Sequence, residues 1–203
     1  AGHRLGFKDE TRGTLFFEIE AILRKHQPRA FFLENVKGLA IHDKGRTLKT
    51  ILGHLDDAGY DVVPPQILNA MDFGVPQHRE RIYIIGFRKN LHINTANFHY
   101  PEPQTKGENR PRFRDVMENE VPSVKYYLST TYVETLKRHR ARHEAAGHGF
   151  GYEIIDTDGV ANSIVVGGMG RERNLLIDKR LKAFTPITNI KGEVTREGIR
   201  RKT

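Results

Sequence analysis

Two short clusters hold the side chains best suited to chemistry. The first is Phe31-Phe32-Leu33-Glu34-Asn35-Val36-Lys37-Gly38, an apolar run that ends in an acid. A carboxyl buried at a strand end can keep its proton if desolvation raises its pKa. It could then hydrogen-bond a heterocycle or protonate a ring nitrogen. Taken alone, Glu-Asn-Val is better read as a surface glutamate capping the turn that follows. The second cluster is Gly74-Val75-Pro76-Gln77-His78-Arg79-Glu80-Arg81. Gly-Val-Pro makes a turn. Gln77, Arg79 and Arg81 then alternate, so in an extended segment they share one face. Two guanidinium groups and an amide on one face suit a phosphate or a planar base carbonyl. The competing reading is a solvated charged stretch leading into a strand.

The elements that must position these residues follow from hydrophobic periodicity. Residues 9–27 read as an amphipathic helix with Leu15, Phe16, Ile19, Ile22 and Leu23 on one face, ended by Pro28. Ala30-Phe31-Phe32-Leu33 has the pattern of a buried parallel strand, with Glu34-Asn35-Val36 just after it. Residues 46–58 are helical through Leu48, Ile51, Leu52 and Leu55, with Gly59 as a C-terminal cap. Tyr60 to Leu68 reads as a strand made irregular by Pro64-Pro65, and Arg81 to Phe87 as a third strand. This alternation is the rhythm of an α/β layer, in which function collects at the carboxyl ends of strands. A linker-like stretch with Pro101, Pro103, Gly107 and Pro111 follows. Residues 129–145 read as a very basic helix carrying Lys137, Arg138, Arg140 and Arg142. From Gly147 the chain turns glycine-rich, with β-like runs at 152–155, 162–166 and 174–178. The expected division is 1–110 and 111–203.

Composition bounds the partners. The 203 residues carry a formal net charge of +8. A balance this basic favours a polyanion, because Lys and Arg displace counterions from phosphates. A soluble basic protein with no such role fits composition equally well. There is no cysteine. That excludes disulfides, thiolate metal sites and a cysteine nucleophile within these residues; no metal site is expected. No run approaches the about 20 apolar residues of a membrane span. The chain opens at Ala1-Gly2-His3-Arg4 and stops at Arg200-Arg201-Lys202-Thr203, so it is expected to be part of a longer protein.

Together the two clusters resemble the DNA (cytosine-5) methyltransferase family of bacterial restriction-modification systems. Glu34-Asn35-Val36 is similar to the family's acidic motif, and Gln77-x-Arg79-x-Arg81 to its Gln-x-Arg-x-Arg motif. Asp9-Glu10-Thr11-Arg12-Gly13-Thr14-Leu15-Phe16-Phe17 looks like the stretch after the catalytic loop. The match is specific over residues 6–88 and looser beyond. The resemblance implies α/β architecture: part of a Rossmann-like S-adenosylmethionine-dependent methyltransferase sheet, then a smaller, irregular β-rich target-recognition domain. It implies C5-methylation of cytosine in a specific duplex DNA sequence, on a base flipped out of the helix.

Each matching residue then acquires an implied role. Glu34 would contact N3 and the exocyclic amine of the cytosine, Arg81 would bond O2, and Arg79 would hold the base and the nucleophile loop. Asn35, Val36 and Gln77 would shape the base pocket. Leu15 would lie near the cofactor; a plain core leucine is an equally good reading. The family's Pro-Cys loop, its glycine-rich cofactor turn and its last motif have no counterpart here. The implied cofactor site is therefore incomplete, and the chain alone is expected to be inactive.

The second lobe, with Gly147-His148-Gly149-Phe150-Gly151-Tyr152 and Gly167-Gly168-Met169-Gly170-Arg171-Glu172-Arg173-Asn174, is similar to bacterial methylases reading sites such as CC(A/T)GG. Arg171 and Arg173 would approach guanine edges. Lys137, Arg138, Arg140 and Arg142 would contact phosphates; solubilising charges are the alternative. Implied partners are double-stranded DNA and a cognate restriction endonuclease, in a bacterial cytoplasm at the nucleoid. Open sheet edges invite a homodimer of the fragment. The alternatives are a non-catalytic DNA-recognition fragment, one subunit of a split methyltransferase, a silent homologue, or an enzyme acting on RNA.

Overall fold

The computed structural model describes residues 15–105, 107–123, 126–149, 151–164, 171–179, 192–195 and 198–201. The predicted helical turn at 9–14 and the glycines Gly167, Gly168 and Gly170 lie outside the described residues. The chain forms two units: Ala1–Phe73 with Arg79–Lys106, and Gly74–His78 with Gly107–Thr203.

The first unit is mixed α/β. Its elements are helix α1 (Leu15–His26), strand β1 (Ala30–Val36), helix α2 (Arg46–Asp57), and strands β2 (Tyr60–Val62), β3 (Gln66–Asn69) and β5 (Glu80–Arg88). The short strand β4 (Gln77–His78) precedes β5 and belongs to the second unit. Strand β5 is the axis of the sheet, with β1 along one side and β2 and β3 along the other. All three run antiparallel to it. The expected parallel strand is thus corrected. Strand β1 is parallel to β2 and β3 only across β5, because the β5 chain returns between them. It is also longer than expected, so Glu34, Asn35 and Val36 lie inside it. The prolines act as predicted: the chain pauses at Val63-Pro64-Pro65 and resumes as β3.

One face of this sheet builds the core. Phe31, Tyr60 and Ile84 pack with Leu23 of α1 and with Ile51 and Leu55 of α2. Tyr60 is fully buried, and its hydroxyl donates to the Pro28 carbonyl at 2.9 Å. Gly86 stands opposite Phe31, whose ring occupies the space a side chain there would need. Helix α2 ends as predicted. Gly59 adopts φ of 93°, a conformation that favours glycine, and its amide donates to Asp56.

Helix α1 departs from expectation. Phe16, Glu20 and Leu23 face the core, whereas Leu15, Ile19 and Ile22 are exposed. A polar cluster sets this rotation. The buried Glu20 carboxylate accepts from Arg24 at 2.7 Å and meets His54 Nδ1 of α2 at 3.1 Å. Phe16 and Phe17 stack edge-on against the His54 ring. Burial alone would raise the Glu20 pKa, but the bonds from Arg24 and His54 outweigh it and hold the carboxyl below its ordinary value.

In the second unit, α3 (Thr130–Ala145) forms as predicted, with the Ser129 hydroxyl capping the Tyr132 amide. Among the described residues the β-like runs form only small pairings, and residues 165–166 of the second run lie outside them. Strand β6 (Ala161–Asn162) pairs parallel with β4, and Ile154 bridges Leu175. The run at 174–178 is otherwise irregular, since Arg171–Asn174 form a 3-10 turn just before it. A hairpin of β7 (Gly192–Thr195) and β8 (Gly198–Arg201) was not anticipated.

Candidate active site

Register brings the acidic cluster and the arginines together. In the β1–β5 ladder, Val36 stands opposite Arg81 and Glu34 opposite Tyr83. Side chains alternate across a strand, so Glu34, Val36, Arg81 and Tyr83 share one face, opposite that of Phe31 and Leu33. Arg81 is the diagonal neighbour of Glu34, a separation that a long side chain spans. Its Nε donates to Glu34 Oε1 at 2.8 Å, and its Nη1 to the Glu80 carbonyl at 2.8 Å. Arg79 brings Nη2 within 3.9 Å of the same Oε1.

Glu34 is not the buried carboxyl that its position suggested: its side chain is 40% exposed, against 16% for Arg81. Strand β1 has one described neighbour, β5, and its outer face carries Phe32 at 65% exposure. Too little packs there to desolvate the acid.

The other predicted residues fall as follows. Asn35 accepts the Val36 amide at 2.8 Å, and Val36 is exposed on the Glu34 face. Gln77 does not continue the arginine face. The extended segment breaks at Arg79, and Gln77 sits in β4 of the second unit, accepting from the Ile164 amide at 3.3 Å. Leu15 begins the described part of α1 and is 62% exposed. It offers the implied S-adenosylmethionine apolar surface and no hydrogen-bonding group. An open apolar groove of about 570 Å³, lined by Phe32, Tyr83, Phe98 and Tyr100 among others, lies on the same sheet. Glu34 and Arg81 do not line it.

The basic residues of the second unit divide into two kinds. Arg140 pairs with Glu144 at 2.7 Å, donates to the Tyr152 carbonyl at 3.0 Å and lies over the Tyr152 ring. Lys137 pairs with Glu134. Arg138 and Arg142 are exposed and lie four residues apart on one helical face. Arg173 donates twice to Glu153 Oε1, at 2.6 and 3.0 Å. The backbone of Arg171 begins a 3-10 turn; its side chain lies outside the description. No group of three or more His, Cys, Asp or Glu among the described residues could hold a metal ion.

Sequence reasoning missed Lys37, which makes an ion pair with Glu80 at the end of the ladder carrying Glu34 and Arg81. The pair lies one step past Val36–Arg81 in the antiparallel register, and that register was not legible in the sequence. It also missed Asn69, whose side chain accepts the Arg79 amide.

The geometry is that of a half-open site at one sheet end, with one carboxylate and two guanidinium groups converging on it. A model of the C-5 cytosine-specific DNA methylase family matches residues 1–201. The chain belongs to that family. Among curated relatives it is 63% identical to the Type II methyltransferase M.HpaII of Haemophilus parainfluenzae, over 100% of this chain and 55% of that protein. It is 46% identical to M.NlaX of Neisseria lactamica, over 78% of this chain and 47% of that one. The chain thus spans about half the length of the curated relatives it matches. Solved structures share the fold. A Spodoptera frugiperda DNMT2 variant aligns with a TM-score of 0.51 at 18% identity, covering 72% of this chain and 40% of its own. S. pombe Dnmt2 aligns with a TM-score of 0.50 at 20% identity, covering 74% of this chain and 44% of its own.

Proposed function

We propose that these residues are the base-binding wall and DNA-reading lobe of a restriction-modification DNA (cytosine-5) methyltransferase. The protein would methylate C5 of cytosine in a specific duplex sequence, with S-adenosylmethionine as the methyl donor. The observation that carries this reading is the Glu34–Arg81–Arg79 cluster. Both arginines approach Glu34 Oε1, which leaves Oε2 for a donor on the ligand. A flipped cytosine presents an acceptor at N3, a donor at its amine and an acceptor at O2. Glu34 would meet N3 and the amine, and Arg81 would meet O2.

Nucleophilic addition at C6 pushes electron density onto N3 and O2. A proton taken from solvent and passed to N3 through the Glu34 carboxyl, together with a guanidinium at O2, would stabilise that charge where it develops. The attacking thiolate comes from outside these residues, which contain no cysteine. Within the same reading, Asn35, Val36 and Gln77 shape the pocket and Leu15 contacts the donor's site. The sheet is part of a Rossmann-like methyltransferase domain, and the irregular unit is the target-recognition domain. A cognate restriction endonuclease is the implied companion, in a bacterial cytoplasm at the nucleoid.

A second reading is a recognition part or subunit completed by another polypeptide. One experiment addresses both. The full-length gene is expressed in cells lacking cytosine methylation, and their DNA is mapped by bisulfite sequencing. Protection of one cytosine within one short sequence is expected, and absence of any protected site overturns the proposal. A Pro-Cys motif encoded just upstream on the same chain decides against the split subunit.

A further inference from the structure

Three stretches of the first unit adjoin its junctions with the second, which fall after Phe73, before Arg79 and after Lys106. Within the first unit they are laced together. The Asp72 carbonyl accepts from the Gln104 amide at 2.8 Å and the Thr105 amide at 3.1 Å. The Thr105 hydroxyl donates to the Met71 carbonyl at 2.9 Å. The Ala70 amide donates to the Arg79 carbonyl at 3.0 Å.

At the centre is Asn69, the last residue of β3, in register with Glu80. The ladder ends there, because Arg79 lies between β4 and β5 and belongs to neither. Its amide would face no strand carbonyl, and the Asn69 side chain replaces one. Oδ1 accepts from the Arg79 amide at 3.0 Å and from the Met71 amide at 3.3 Å. A short side chain with a carbonyl-type oxygen is suited to holding two nearby amides at a chain turn. The bond fixes the backbone from which the Arg79 guanidinium reaches to 3.9 Å from Glu34.

We infer that Asn69 is a positioning residue for Arg79, and so for the cytosine site. The consequence for turnover rests on the function proposed above; the consequence for the backbone does not. Asn69→Leu removes the acceptor at similar size, and Asn69→Asp keeps it. Both are made in the full-length protein, with Asn69→Ala as the variant to use where Asn69→Leu does not fold.

Hydrogen exchange at the Arg79 amide is expected to quicken about 10-fold or more in Asn69→Leu, with α2 amides as the reference. In Asn69→Asp it should stay within about threefold of the parent. Methyl transfer should lose about 10- to 100-fold in kcat in Asn69→Leu, with KM for DNA little changed, and recover in Asn69→Asp. A merely structural lesion would lower thermal stability and active fraction without that split or rescue. Unchanged exchange at Arg79 overturns the inference, as does a loss in Asn69→Asp equal to that in Asn69→Leu. A parent protein that transfers no methyl group instead overturns the proposed function, and the exchange result still decides the role of Asn69.

Discussion

Glu34 and Arg81 are in direct contact in the candidate site, at 2.8 Å, and Arg81 is the less exposed of the two. Their substitutions should differ in kind. Glu34→Gln keeps the shape and one acceptor but cannot exchange a proton with the base. In the full-length enzyme it should lower kcat by about 100-fold or more, with DNA affinity within a few-fold. Arg81→Met leaves the Glu34 carboxylate without its nearest counter-charge and also removes the donor proposed for O2. It should lower turnover at least as far and weaken capture of the flipped base. Single-turnover methylation of a hemimethylated duplex, with binding measured separately, checks both. Retention of turnover by Glu34→Gln would move the acid role elsewhere. The types and order of these residues were readable in the chain, because a carboxylate and two alternating arginines are a distinctive set. Their exposure was not readable, since it depends on what packs over the outer face of β1.

At the scale of elements, α1 and α2 are joined by a buried carboxylate as well as by Phe16 and Leu23, the part of the predicted apolar stripe that faces the core. The periodicity of α1 was legible, but its rotation was not. Leu15, Ile19 and Ile22 form one helical face and Phe16, Glu20 and Leu23 another, and hydrophobicity alone favours the first. The tie lies between Glu20 and His54, which are 34 positions apart and carry no local signal. The strand directions were hidden for a similar reason: apolar runs report burial, while direction follows from which strands lie side by side. The Glu20 carboxyl is held below its ordinary pKa in the folded chain, so its ionised form is favoured there more than in the unfolded chain. Its stabilising contribution is complete at neutral pH. It is lost as pH falls below about 4, through the ordinary carboxylate range and then the folded value. Thermal midpoints between pH 7 and pH 3 should therefore fall more steeply in the parent than in Glu20→Gln, with the difference largest at pH 7. Parallel curves would show that the cluster does not couple to protons.

Across the whole molecule, the net charge of +8 favours a polyanionic partner, which the proposed function makes duplex DNA. The basic residues are not equivalent within it. On α3, Arg138 and Arg142 are exposed along one helical face, whereas Arg140 ties the helix to Glu144 and to the Tyr152 segment. Arg138→Ala or Arg142→Ala should therefore weaken binding to all sequences alike. Each should reduce the slope of log K against log salt by about 1, with no change in thermal midpoint. Arg140→Ala should instead lower the midpoint, since it removes an anchor inside the second unit. Arg173 has a third signature. Its guanidinium already holds Glu153, so reading a guanine means exchanging a carboxylate for a base edge. If it makes that exchange, Arg173→Ala should relax specificity at one base pair by about 1–3 kcal/mol while leaving the salt slope nearly unchanged. Salt titrations of the four variants against a cognate and a scrambled duplex separate the cases. Uniform loss in Arg173→Ala would place that arginine with the phosphate contacts, and no loss at all would leave it as the structural partner of Glu153.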